Sequence, residues 1–181
     1  MRSFVLFTAA MTLLVAALTL HAAPPRDPYQ YFFNDTWGDF REELQTARDQ
    51  GKKGVLIFFE MDECPFCHYM KNTVLNQQEV QDFYRERFLI FAVDIEGDIE
   101  VKNFRGEAMT QKDFAFKENR VRATPVFAFF DLDGERVHRH IGKTSGVEEF
   151  LLMGQYVASG AYKDGPFARY KREQRSTGNK P

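Results

Sequence analysis

Cysteine is nearly absent from this chain: 181 residues carry two, Cys64 and Cys67. A small secreted scaffold stapled by disulfides needs more crosslinks than one pair can make, so that class is excluded. Excess charge is missing as well. The formal net charge is −2, and no basic patch interleaved with aromatics occurs outside the C-terminal tail, so no electrostatic grip on nucleic acid is expected. Internal repeats and low-complexity segments are also lacking. What is present is apolar bulk: 44% hydrophobic and 15% aromatic residues, with 19 Phe, enough for one domain with its own core.

The first residues point to a compartment. Arg2 supplies a positive charge, residues 4–20 are uncharged and apolar, and His21-Ala22-Ala23 precedes Pro24-Pro25. That is the anatomy of a secretory signal peptide over residues 1–23, and it predicts a periplasmic protein. An uncleaved membrane anchor and a buried helix are the alternatives; the run is slightly short for a membrane span. No cysteine stands near the junction, so lipidation is not indicated.

The remainder is organised around residues 55–70, VLIFFEMDECPFCHYM. The β-branched and aromatic run 55–59, introduced by Gly51 and Gly54, predicts a buried strand. Pro65 suits the first position of a helix, where its missing N–H would be unpaired anyway. Cys64 then sits at a helix N-terminus, where free N–H groups and the helix dipole favour a thiolate, the form that attacks disulfides. Cys67 can close a disulfide with it, and an isolated C-x-x-C between strand and helix patterns reads as a redox motif. Asp62 and Glu63 oppose the thiolate by like charge, while a protonated His68 would support it.

Elsewhere, residues 24–35 read as an arm. Asp35 or Thr36 is expected to cap a helix to Asp49, with Trp37, Phe40, Leu44 and Ala47 on its inner face. The helix begun by the cysteines should run to Leu75, and another should cover residues 77–87. Strands are expected at 88–95, 126–131 and 136–141, the last two joined by an Asp133-Gly134 hairpin. Residues 96–110 read as a loop, 110–119 as a helix opened by a capping-box-like Thr110, and 147–158 as an amphipathic helix. The basic tail 163–181 reads as flexible and solvated. This order predicts an α/β domain with a mixed sheet of four to five strands and helices on both faces.

With CPFC after a buried strand, and Ala123-Thr124-Pro125 before a strand, Asp133-Gly134 and strand, residues 36–162 resemble the thioredoxin superfamily. Ala47-Arg48, ECPFC and GQYVASGAYKD most resemble exported thioredoxin-related proteins of SoxW type. The resemblance implies a thioredoxin fold, with Cys64 as attacking thiolate and Cys67 as resolving thiol. It implies a cis-proline at Pro125, whose neighbour Thr124 offers backbone to an extended substrate, with Pro65 and Phe66 in substrate contact. The implied activity is protein disulfide oxidoreduction, as a reductase. Its partners would be protein disulfides and a membrane electron donor of the CcdA/DsbD type, with no cofactor. The family usually buries an aspartate six residues before the first cysteine; here Phe58 stands there. Glu60 is the nearest strand carboxylate that could assist proton transfer, provided that it reaches Cys67.

Other readings compete. Cys64 to His68 is also C-x-x-C-H, the c-type haem attachment motif, with Met109 or Met153 as a second axial ligand. The strand before the motif and the β-rich second half do not suit a small haem-wrapping protein. Two cysteines and one histidine fall short of a closed zinc site, and His138 and His140 on one strand face fit an edge strand better than a metal site. A non-catalytic binding module, presenting Phe66 and Tyr69 to a partner, is the third class.

Overall fold

The computed structural model describes residues 24–178, so the expected signal segment 1–23 lies outside the described residues. Seven helices and six strands follow in chain order: α1 Pro28–Tyr31, α2 Phe40–Asp49, β1 Gly54–Glu60, α3 Pro65–Thr73, α4 Gln78–Arg87, β2 Phe88–Asp94, β3 Glu100–Lys102, β4 Ala108–Thr110, α5 Gln111–Asp113, β5 Val126–Phe130, β6 Arg136–Ile141, α6 Val147–Ala158 and α7 Phe167–Gly178. The main sheet has four strands in the order β2-β1-β5-β6. β1 runs parallel to β2, and the β1–β5 and β5–β6 pairs are antiparallel. This is the thioredoxin fold, with a mixed sheet at the lower end of the expected strand number.

β1 is paired on both edges and covered on both faces, which is why its sequence is a continuous apolar run instead of an alternating one. Leu56 and Phe58 point into a cluster with residues of α3, α4 and α6, including Met70, Val80, Tyr84 and Phe150. Val55, Ile57 and Phe59 point to the other side, against Phe40, Leu44 and Ala47 of α2 and Phe114. Gly54 is required where the chain enters β1, because a Cβ there would lie 2.1 Å from the Phe130 carbonyl oxygen. The Asp133-Gly134 turn forms as expected, closed by Gly134 N–H to the Asp131 carbonyl and Asp131 N–H to the Glu135 carbonyl.

Four expectations need correction. Helix α2 starts later than its apolar spacing suggests: Asp39 caps it by accepting the Glu42 N–H, and Trp37 is fully exposed. The cause is Gly38, whose φ of +85° turns the chain before the cap. Residues 96–110 hold a β3–β4 hairpin, whose turn is built on buried Asn103: its side-chain oxygen accepts the Arg105 and Glu107 N–H groups, and its amide reaches Glu107 and Glu118. The helix capped by Thr110 widens after one turn and continues as a π-helical turn at Phe114–Glu118. The tail is a helix, α7, packed on α6 and β6 through Phe167 and Tyr170, and tied by a 2.6 Å ion pair from Lys171 to Glu149.

The arm contributes more than an entry path. Asp27 caps α1, and Phe32 and Phe33 drop into the cluster that holds the cysteines. Phe33 stacks on Phe58 at 5.7 Å between ring centroids.

The packing of α7 over His138 predicts a pH-dependent stability. Its Phe167 ring and Tyr156 of α6 cover His138, at 5.5 and 5.2 Å. Burial, then the neighbouring His140, lowers the His138 pKa to about 4. The folded state therefore resists a proton that the unfolded chain accepts near pH 6.5. The stability tied to His138 is full above that value and falls as the pH drops towards 4. The effect is on the order of 2–3 kcal/mol. Denaturant titrations between pH 7 and 4 should show this loss in the wild type and a flatter curve for His138→Gln.

Candidate functional site

β1 ends at Glu60, three residues turn the chain, and Cys64 becomes the N-cap of α3 with extended backbone, φ −122° and ψ 96°. Pro65 takes the first helical position, as the sequence predicts. A cap side chain normally offers oxygen to the free N–H groups of the first turn. Here the acceptor is sulfur: the Cys67 N–H points at Cys64 Sγ from 3.0 Å. The two sulfurs are joined, with Cα atoms 5.2 Å apart, so this is the oxidised form of the pair. They are not equivalent. Cys64 keeps 4% of its surface in solvent, whereas Cys67 keeps none. Of the two residues, only Cys64 keeps any contact with solvent.

Antiparallel pairing of Phe59 with Val126 brings the start of β5 beside the end of β1, and so carries Pro125 to the α3 end of the sheet. The Thr124–Pro125 bond is cis. The Gly142 N–H donates to the Pro125 carbonyl at 2.8 Å, and Thr144 Oγ1 donates to Met70 Sδ at 3.7 Å, so the β6–α6 loop is fastened to both β5 and α3. Pro125 is buried, Thr124 is half-buried, and Pro65 and Phe66 are exposed. The residues expected to face a substrate are thus gathered at one end of the sheet.

The two expected tuning residues behave differently from one another. His68 is exposed on α3, with Nε2 at 3.1 Å from the Asp62 carbonyl oxygen. Glu60 is committed elsewhere. Its carboxylate pairs with Lys71 at 2.6 Å and accepts from the Tyr29 hydroxyl at 3.3 Å. Burial opposes the Lys71 ammonium, but its bonds to Glu60 and Tyr29 outweigh that and raise its pKa. This cluster fastens the last residue of β1 to α3 and to the arm. Where the buried aspartate would be, Phe58 is fully buried, with Phe33 on one side and Phe127 at 4.9 Å on the other.

For the competing haem reading, Cys67 and Met153 are fully buried within one apolar cluster, whereas Met109 packs against the other. Among the described residues, no three His, Cys, Asp or Glu side chains gather as a metal site. His138 and His140 instead face the rings of Phe129, Tyr156, Phe167 and Phe127.

Sequence reading missed the parts of the site that come from afar: Tyr29, Phe33 and Lys71. A partly buried ion pair that loses one member leaves an uncompensated charge, at a cost of about 2–4 kcal/mol. Lys71→Met should lower the unfolding free energy by that amount, and the Glu60→Leu/Lys71→Met double variant should recover most of it. Glu60→Gln should leave the pH dependence of thiol reactivity unaltered. A displaced pH profile in that variant would restore Glu60 as a proton carrier.

Comparison with known proteins agrees with the geometry. No curated protein matches the chain. Among solved structures, a thioredoxin-fold protein from Helicobacter pylori superposes with a TM-score of 0.58 at 20% identity, over 70% of this chain and 87% of that one. A DsbH oxidoreductase gives 0.54 at 19% identity, over 77% and 92%. A thioredoxin from Thermus thermophilus gives 0.53 at 25% identity, over 70% and 87%. The thioredoxin-like domain family matches residues 40–158 of the 181, from the first residue of α2 to the last of α6. With its cysteine pair capping α3 and its cis-proline at the head of β5, the chain belongs to the thioredoxin-like domain family.

Proposed function

We propose that this protein is an exported thiol–disulfide oxidoreductase of SoxW type that reduces protein disulfides. The observation that carries the reading is the inequality of the two sulfurs: Cys64 touches solvent and receives a helix N-terminal N–H, while Cys67 is sealed beneath it. That is the arrangement a two-step exchange needs. In the reduced enzyme, the Cys64 thiolate is stabilised by the Cys67 N–H and the α3 terminus. It attacks one sulfur of a substrate disulfide, forming a Cys64–substrate bond and releasing the other substrate sulfur as a thiolate. Cys67, after losing its proton, then attacks Cys64 Sγ and expels the second substrate thiolate. The substrate gains two electrons and two protons, and the enzyme is left with the Cys64–Cys67 disulfide.

Thr124 would pair its backbone with the substrate segment, and the exposed Phe66 ring would cover the apolar part of the contact. Each turnover consumes the dithiol, so a reductant must restore it. A membrane-held dithiol carrier of the CcdA/DsbD type would do so at the same exposed sulfur. The signal-like segment 1–23 supports delivery to the periplasm, the compartment where such a carrier would work.

Pre-reduced protein should reduce insulin disulfides and continue catalytically with dithiothreitol. Cys64→Ser should abolish the reaction. Cys67→Ser should perform only the first step and accumulate a mixed disulfide, visible as a reductant-sensitive adduct. Equal activity in wild type and Cys64→Ser would end the enzymatic reading. Inert thiols together with stoichiometric capture of a partner would favour a binding module.

A further inference from the structure

The sheet end that carries Cys64 is charged oppositely on its two sides. Over β1 and β2 stand exposed Asp62 and Glu63, in the β1–α3 connection, and Glu96, just beyond β2. Over β5 and β6 stand exposed Arg122, three residues before Pro125, and Lys143, immediately after Gly142. The strand order β2-β1-β5-β6 makes this a lateral gradient from acid to base across the active end.

Both cations are held in place without being neutralised. The Arg122 guanidinium lies 5.3 Å from the centroid of the Phe116 ring, and the Lys143 ammonium lies 4.5 Å from that of Tyr69. A ring face attracts a cation but leaves its net charge intact. Neither side chain forms an ion pair among the described residues. Their supports are hydrogen-bonded: the loop of Lys143 is tied to Pro125 and Met70, and Arg139 bonds the Arg120 carbonyl at 3.1 Å, in the segment that leads to Arg122.

We infer that Arg122 and Lys143 are specificity determinants, selecting disulfide substrates that carry carboxylates beside the cysteine attacked by Cys64. The inference rests on the reductase reading and names the substrate class of that same site. An extended segment paired with Thr124 lies on the basic half of the surface. Carboxylates there meet two unneutralised cations, and lysines are repelled by them. Asp62 and Glu63 repel carboxylates placed on the opposite side, so register is selected together with sign. Complementary charges at a contact rim act chiefly on encounter rate, and salt weakens them.

The test uses three peptide disulfides of one backbone, with Glu, Gln or Lys flanking the cystine. The readout is the second-order rate constant for oxidation of the reduced full-length protein. At low ionic strength, the Glu peptide should react on the order of tenfold faster than the Lys peptide, with Gln between them and the preference collapsing in high salt. In Arg122→Glu/Lys143→Glu the order should invert, and the ratio within one enzyme is independent of how much of it is active. An unchanged thermal midpoint would confirm that the variant is folded. Equal rates for all three peptides, with insulin still reduced, would overturn the charge assignment and leave the reductase reading standing. Failure to reduce any peptide or insulin would overturn the reductase reading itself.

Discussion

One hydrogen bond organises this molecule: the amide of Cys67 directed at the sulfur of Cys64 from 3.0 Å. It exists because the chain leaves a buried strand and enters a helix within three residues, with a sulfur where a cap oxygen usually sits. Everything nearby holds that junction still. β1 is hydrogen-bonded along both edges, so its end is fixed. Lys71 ties α3 back to Glu60, Thr144 ties the β6–α6 loop to Met70 of α3, and the arm closes the back with Phe32 and Phe33. A cap that can shift would give the sulfur a variable electrostatic environment. A cap braced from three directions gives it one.

The parts legible in the sequence share a physical character: each is a strong local signal. The runs that become β1, β2 and β5 are buried on both faces and so cannot be mistaken for surface. Pro65 and the Asp133-Gly134 turn state their conformations directly, and the C-x-x-C spacing marks the disulfide pair. The illegible parts depend on distance or on brevity. Trp37 keeps helical spacing with Phe40, Leu44 and Ala47, and only Gly38 reveals that the helix has not started. Three-residue strands such as β3 and β4 are too short to show alternation. In α7, two apolar contacts are set among three arginines, one lysine and one glutamate, and charged composition outweighs them until α6 is present to receive them. The partners of Glu60 lie 31 residues before it and 11 after it, beyond the reach of any window.

The replacement of a buried acid by Phe58 follows the same bracing logic and has a chemical consequence. A carboxylate beneath Cys67 would need water or a partner to remain in an apolar interior. In this chain the space is filled instead: Phe33 from the arm and Phe127 from β5 close on Phe58 from both sides. The cluster around Cys67 is hydrocarbon, and Glu60, the nearest strand carboxylate, is engaged by Lys71 and Tyr29. In the proposed exchange, Phe58 therefore cannot accept the Cys67 proton as a buried carboxylate would. The two cysteines thus differ by environment: Cys64 caps a helix and keeps a trace of solvent contact, and Cys67 lies wholly within the apolar cluster.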